Sequence, residues 1–288
     1  MDTGYLLHAL VMALSSASIL LIATLGLAVV FGLMGVVNLA HGEFIMIGAY
    51  CALFAFKAGL PFCIAVLVAT LATALFGAVV ERLIVRRLYG RLLDTMLATW
   101  GLSLVLYQLA VVLFGAVTPG IGLPMSNVSI GGYAVATYSL FLIGAAVLLF
   151  AASYLLLTRT GYGLMARAAI QDRATASALG IEVKRLNTAT FALGAGLAGF
   201  AGAILLPSIP ATPNMGFGFT VKAFLAVVVG GPVTLAGTLA SAGGLGAASG
   251  LASSYWSGVV GDLLFFCATM AILRMFPKGI SEHWRLKL

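Results

Sequence analysis

Eight long apolar runs, separated by short segments that hold most of the charge, set the pattern of this 288-residue chain. They lie at residues 6–34, 44–56, 62–80, 96–117, 135–157, 189–206, 224–251 and 259–275. A helix needs roughly 20 apolar residues to cross a bilayer. The runs are continuous and do not alternate apolar with polar positions, so they read as helices and not as strands of a barrel. The predicted fold is an all-α, polytopic transmembrane helical bundle of about eight spans, forming a single transmembrane domain over residues 1–288. The run 224–251 is too long for one span and is interrupted by Gly230-Gly231-Pro232 and by Gly243-Gly244. It is expected to break, either into two short spans or into a span plus a re-entrant segment. Irregular backbone is tolerated at membrane depth where protein or a cavity surrounds it.

Composition removes the soluble alternative. Residues of the AVILMFWYC set make up 62% of the chain and charged residues 8%, against about 25% charged in soluble domains. The net charge of +7 follows the loops and does not point to nucleic acid. Segment 81–94 carries Arg82, Arg86, Arg87 and Arg91, and segment 158–187 carries Arg159, Arg167, Arg173, Lys184 and Arg185. The tail carries Arg274, Lys278, Arg285 and Lys287, whereas segment 118–138 has no charge. The positive-inside rule then puts both basic loops and the C-terminus in the cytoplasm, and the N-terminus and the neutral segment outside. An odd number of crossings must fit between Lys222 and Arg274, so the break in 224–251 must supply one. The first run lacks a basic leader and is long enough to span, so it reads as a helix and not as a cleaved signal. Cys51, Cys63 and Cys267 lie in apolar runs and read as small buried hydrophobes. Gly246 and Gly250, and the set Ala195, Ala198, Gly199 and Gly202, have the spacing of helix-packing faces.

Three features bear on chemistry. The segment Asn38-Leu39-Ala40-His41-Gly42-Glu43 places an amide, an imidazole and a carboxylate between two apolar runs. Ionisable groups near membrane depth are costly and are functional candidates; the competing reading is an interfacial cap for the helix beginning at Phe44, with Glu43 favoured by the helix dipole. One His and one Glu are too few for a closed zinc site, and no Gly-x-Ser-x-Gly accompanies them, so the chain is not expected to be an enzyme or to hold a cofactor. The second feature is segment 158–187. It opens on Gly161-Tyr162-Gly163, continues through an Ala-rich stretch that favours helix, and stops at Gly180-Ile181, Gly180 being a natural C-cap. A short docking helix fits this better than a merely solvated loop. The third is an absence: none of Lys57, Lys184, Lys222, Lys278 or Lys287 follows a Gly, so there is no phosphate-binding loop. ATP-driven work would need another chain.

These residues resemble a known family. Asn38–Glu43 followed by Gly48-Ala49-Tyr50 resembles the signature of the branched-chain amino acid permeases of bacterial ABC importers. Arg167-Ala168 with Asp172, Ala178, Gly180 and Ile181 resembles that family's cytoplasmic coupling loop. Phe191 with Leu197–Gly202, and Ala223-Phe224 with Gly230-Gly231, resemble its later helices. Within the family, residues 89–103 look closer to the urea and short-chain amide branch. Gly231-Pro232-Val233-Thr234 and Phe276-Pro277-Lys278-Gly279 depart from the usual family sequences, and the long N-terminal extension of many urea-type subunits is missing.

The resemblance implies a multi-pass protein of the bacterial inner membrane that works with a second homologous permease subunit, two ATPase subunits and an extracytoplasmic substrate-binding protein. ATP and Mg would sit on the ATPases and not on this chain. Asn38, His41, Glu43, Thr99, Ser103, Gly230 and Gly231 are then expected in the substrate path or gate. The ATPase-coupling set comprises Arg167, Asp172 and Arg173 at the polar rim and Ala178, Gly180 and Ile181 in the contact. Urea, an amide and a branched-chain amino acid all stay open as substrate. A passive channel for a neutral solute and an ion-coupled carrier are the rivals; the latter usually needs an intramembrane carboxylate, and its only candidates, Glu43 and Asp262, both sit near predicted span ends.

Overall fold

The computed structural model describes residues 3–116, 120–122, 126–130, 132–231 and 235–281. Among these it has eleven α-helices: α1 (Thr3–Met34), α2 (His41–Lys57), α3 (Phe62–Leu83), α4 (Leu92–Phe114), α5 (Thr137–Arg159), α6 (Gly161–Gln171), α7 (Arg173–Ala178), α8 (Val183–Leu205), α9 (Met215–Gly230), α10 (Leu235–Tyr255) and α11 (Gly258–Met275). Seven of them, α1, α3, α4, α5, α8, α10 and α11, are long and apolar enough to cross a membrane. The protein is a polytopic all-α membrane protein. Helices α2 and α9 are shorter, at 17 and 16 residues.

The run 224–251 does break where the glycines predict. Helix α9 ends at Gly230, Gly231 takes φ +90°, and α10 begins at Leu235. That left-handed backbone suits a residue without Cβ. Pro232, Val233 and Thr234 lie outside the described residues. Gly243-Gly244 does not interrupt anything, because α10 runs straight through it; with hydrogen bonds kept along the helix, two glycines lower its propensity without breaking it. Between Lys222 and Arg274 two helices, α10 and α11, are long and apolar enough to span, and Lys222 itself lies inside the shorter α9 and not in a loop.

Other expectations need correction. The neutral segment contains a two-stranded antiparallel hairpin, β1 (Asn127–Ile130) and β2 (Tyr133–Ala136), so α5 starts at Thr137 and not at residue 135. Segment 158–187 is not one helix in a loop: α6 and α7 meet at Asp172, and α8 already begins at Val183. Asp172 caps α7 by accepting from Ala174 N at 2.8 Å and from Thr175 N at 3.3 Å, which forces the change of direction. Cys63 and Cys267 are exposed on helix surfaces and Cys51 is half-buried. In a membrane a small apolar thiol can face lipid, so apolar surroundings in sequence do not imply burial in protein. Helix α3 runs on to Leu83, which carries Glu81 out of the supposed loop and into a span.

The chain forms two compact units. One comprises Leu25–Ile121 and Phe150–Thr220, and the other Met1–Thr24, Gly122–Leu149 and Val221–Leu288. In the first unit α8 packs on α2 and α3 through small residues. A Cβ on Gly199 would overlap Thr73, and one on Gly202 would overlap the carbonyl of Ile45. In the second unit the Gly246 and Gly250 pair lies against Ala17, Ser16 and Ala13 of α1. Both small-residue faces therefore serve packing within the chain, where close backbone approach maximises dispersion contacts in the absence of a hydrophobic drive between helices. Tyr5 stacks edge-on to Tyr133 and Tyr255, with centroids 5.8 and 5.4 Å away, and this ties the hairpin to the adjoining helix ends.

Candidate functional site

The polar segment is folded into the start of α2. Gly35, at φ +66°, ends α1, and the chain crosses to Asn38, whose Oδ1 accepts from Ala40 N at 3.1 Å. This local turn launches α2 at His41. The first amides of a helix have no partner within it, and here other helices supply acceptors to one of them and to Leu39, two residues before the helix. Leu39 N donates to Thr99 Oγ1 of α4 at 3.1 Å, and Gly42 N donates to Thr220 Oγ1 of α9 at 2.9 Å. Gly42 and Gly216 touch backbone to backbone, so that any side chain on Gly42 would collide with the Gly216 carbonyl.

One turn beyond Thr99, Ser103 donates to Glu43 Oε1 at 3.0 Å. Glu43 Oε2 is buried with no hydrogen-bond partner. It faces Gly216, in the first turn of α9: a Cβ there would stand 2.8 Å from it. The positive end of a helix favours a carboxylate, so α9 offsets part of the charge without satisfying the oxygen. The His41 ring packs against Gly26 of α1. Asn38, His41, Glu43 and Thr99 are all at most 2% exposed. The first unit therefore brings Asn38, His41, Glu43, Thr99 and Ser103 into one cluster. A cleft of about 290 Å³ adjoins its loop, lined among others by Gly35, Val36, Tyr89, Thr95 and Arg173.

Gly230 and Gly231 belong to the other unit. There Gly230 lies against Gly237 and Ser241, and Gly231 lies against Ser281. Their close approaches build the turn between α9 and α10.

The coupling residues sit on α6 and α7. Thr160 caps α6 by accepting from Gly163 N, and Arg167 donates to the Leu157 carbonyl. Arg173 donates to the Met34 carbonyl at 3.0 Å, which fastens α7 to the end of α1. Gly180, at φ +86° with open space beside it, ends α7 as its sequence position predicts. Asp172 is exposed, and the hydroxyl and amide of Thr175 and the amide of Ala174 hold its carboxyl below the ordinary value. Ala178 is exposed, whereas Ile181 is half-buried and packs inward on the cluster of Ala166, Ala169, Ala176 and Leu186. Leu164 on α6 and Leu179, just past the end of α7, are exposed apolar residues, at 64% and 77%.

Sequence reasoning missed a second carboxylate cluster. Glu81 is fully buried. It accepts from Arg86 (3.4 and 3.3 Å), from Thr188 Oγ1 of α8 (2.7 Å) and from the Tyr89 hydroxyl. Burial, and then Glu81 beside it, push the Tyr89 phenol well above its usual range. The signal was present as a four-residue spacing: Ala69, Thr73, Gly77 and Glu81 form one buried stripe of α3. Among the described residues no group of three or more His, Cys, Asp or Glu could hold a metal.

Residues 9–273 match the family described as branched-chain amino acid transport system / permease component. This chain belongs to that family. The permease is 28% identical to the high-affinity branched-chain amino acid transport system permease protein BraD of Pseudomonas aeruginosa, covering 95% of each chain. It is 27% identical to LivH of Salmonella typhimurium, a permease protein of the same description, over 96% of this chain and 95% of LivH. A probable LivH of Methanocaldococcus jannaschii is 26% identical over 93% and 90%. No solved structure matches the permease. The family is one of transport components and not of enzymes, and with the apolar helices it makes this a multi-pass inner-membrane permease subunit of an ABC importer.

Proposed function

We propose that the permease moves a branched-chain amino acid or a similarly small polar solute inward, and that the cluster at the start of α2 is its gate. The observation that carries this reading is Glu43, a buried carboxylate with one oxygen paired and the other not. An unpaired buried polar atom costs on the order of 1–3 kcal/mol, more when charged. Such a cost is tolerated where the missing partner arrives in another state. Asn38, His41, Thr99 and Ser103 hold the segment in place, and Gly230 and Gly231 contribute the close-packed turn after α9, where a side chain would collide.

Helices α6 and α7 form the surface for an ATPase subunit. Leu164 and Leu179 supply apolar contact, with Arg167, Asp172, Arg173, Ala178 and Gly180 around them; Ile181 supports the pair from beneath. Two ATPases carrying ATP and Mg, a second homologous permease and an external binding protein complete the importer. The basic loops and the C-terminus face the cytoplasm, and the N-terminus and the hairpin face outward, following loop charge. The relatives are named for branched-chain amino acids, which puts leucine ahead of urea or an amide; residues 89–103 keep the latter as the alternative.

Reconstitution with those partners tests the reading. ATP-dependent uptake of leucine, reduced roughly tenfold or more in Glu43→Gln with ATPase activity and assembly retained, is the expected result. Glu43 also favours one rival, because an ion-coupled carrier needs an intramembrane carboxylate. Uptake driven by a proton or sodium gradient without ATP would select that rival, and solute equilibration without either would select a passive channel.

A further inference from the structure

The second unit holds a charged pair that neither packing nor loop charge explains. Lys222 Nζ lies 2.7 Å from Asp262 Oδ1. Lys222 is the eighth residue of α9, and Asp262 the fifth of α11. At 1.5 Å per residue Lys222 is roughly 10 Å from either end of its helix, and Asp262 roughly 6 Å from the start of its own. Helix α11 buries the stripe Gly261, Phe265 and Thr269, and Asp262 stands off that stripe. The side chains are 32% and 50% exposed. Asp262 is the one acidic residue among the described residues of its unit.

A half-exposed ion pair contributes little to stability. At membrane depth, ionisable side chains face a bundle interior or a water-filled cavity, since hydrocarbon makes them costly. The pair is therefore a poor structural element and a poor lipid-facing one. It has, however, the charges of a zwitterion in complementary order. An ammonium and a carboxylate side by side match the two ends of an α-amino acid, with Lys222 taking the carboxylate and Asp262 the ammonium. Urea and short amides carry no charge to replace either partner. We propose that Lys222 and Asp262 form a station on the permeation path that opens its own ion pair to bind the zwitterionic head of an amino acid. This rests on the reading of the chain as an importer permease for an amino acid and names the two residues that would hold the substrate's head group.

The test uses the full chain assembled with its permease, ATPase and binding-protein partners in proteoliposomes. Lys222→Gln and Asp262→Asn should each lower leucine uptake roughly tenfold or more, the scale of a lost charged hydrogen bond, with assembly and ATPase activity kept. The exchange Lys222→Asp with Asp262→Lys should not restore uptake, because it presents the zwitterion with reversed charges. Asp262→Cys, with Cys51, Cys63 and Cys267 replaced by Ala, should react with a membrane-impermeant thiol reagent and be protected by leucine. Wild-type uptake in the doubly neutral variant, rescue by the exchange, or no labelling of Asp262→Cys with or without ATP would each overturn the proposal. Absence of ATP-dependent uptake of any solute by the wild-type assembly would count instead against the importer reading, and the labelling and its protection by leucine would still judge the pair.

Discussion

Two buried carboxylates in one compact unit have opposite surroundings. Glu81 is enclosed by an arginine, a tyrosine hydroxyl and a threonine hydroxyl that all donate to it. Glu43 has one serine on one oxygen and nothing on the other. Burial is near equal, so what distinguishes the two acids is the number of donors, and the gate proposed for Glu43 rests on that difference. Glu81 ties α3, the turn at residues 85–88 and α8 together, and any change of state would have to give up several bonds at once. Glu43 stands among α2, α4 and α9 with one bond to lose and one to gain.

Glu81→Ala should have the largest effect. It takes the carboxylate from three donors at once: the Tyr89 and Thr188 hydroxyls lose this acceptor and the Arg86 guanidinium keeps only Thr188 Oγ1 at 2.6 Å, each lost charged hydrogen bond being worth about 1.5–3 kcal/mol. The expected outcome is a lower unfolding temperature in detergent and a smaller yield of assembled complex, with uptake and ATPase activity falling in the same proportion. Gly42→Ala comes next. Its Cβ drives against the Gly216 carbonyl, and overpacking of this kind costs roughly 1–3 kcal/mol. Thermal unfolding should register that loss, with uptake reduced beyond it because α2 and α9 meet at the proposed gate. Ser103→Ala removes the one donor seen on Glu43 while keeping the fold, so it should weaken uptake and leave assembly within experimental error of wild type.

Asp172→Ala serves as the mild control, because it acts far from both acids in sequence. It uncaps α7 and should slow uptake relative to ATP hydrolysis without affecting insertion. The carboxyl of Asp172 is held below its ordinary value by its three bonds. Its contribution is therefore complete above the ordinary carboxylate pKa and is lost only as pH falls through the lowered one. Coupling in the wild type should show no pH dependence from this group between pH 6 and 8, a range well above any carboxylate near 4; a step there that vanishes in Asp172→Ala would refute the cap's role.

The contrast between the two acids also shows what was legible in the chain alone. Apolar run length located most of the long helices, and Gly230-Gly231 marked the break, since each follows from local backbone and solvent demands. Asn38–Glu43 stood out because polar groups between apolar runs are expensive. Glu81 did not, because tallying it with the arginines of 81–94 hid its register with Ala69, Thr73 and Gly77. The hairpin at 127–136 was missed because short strands in a neutral loop have no composition of their own. Pairings such as Lys222 with Asp262 or Gly42 with Thr220 join residues 40 and 178 positions apart, and no local pattern encodes them.

The most direct test compares Glu43→Gln with Glu81→Gln in the same reconstituted importer, scoring solute uptake per assembled complex against ATPase activity. Uptake in Glu43→Gln should fall roughly tenfold or more, the scale of an altered charged hydrogen bond, with ATPase activity unchanged. In Glu81→Gln uptake per assembled complex should stay close to wild type while the amount of complex falls. Normal uptake in Glu43→Gln, or an equal loss of assembly in both variants, would contradict the assignment of Glu43 to the gate and Glu81 to the frame.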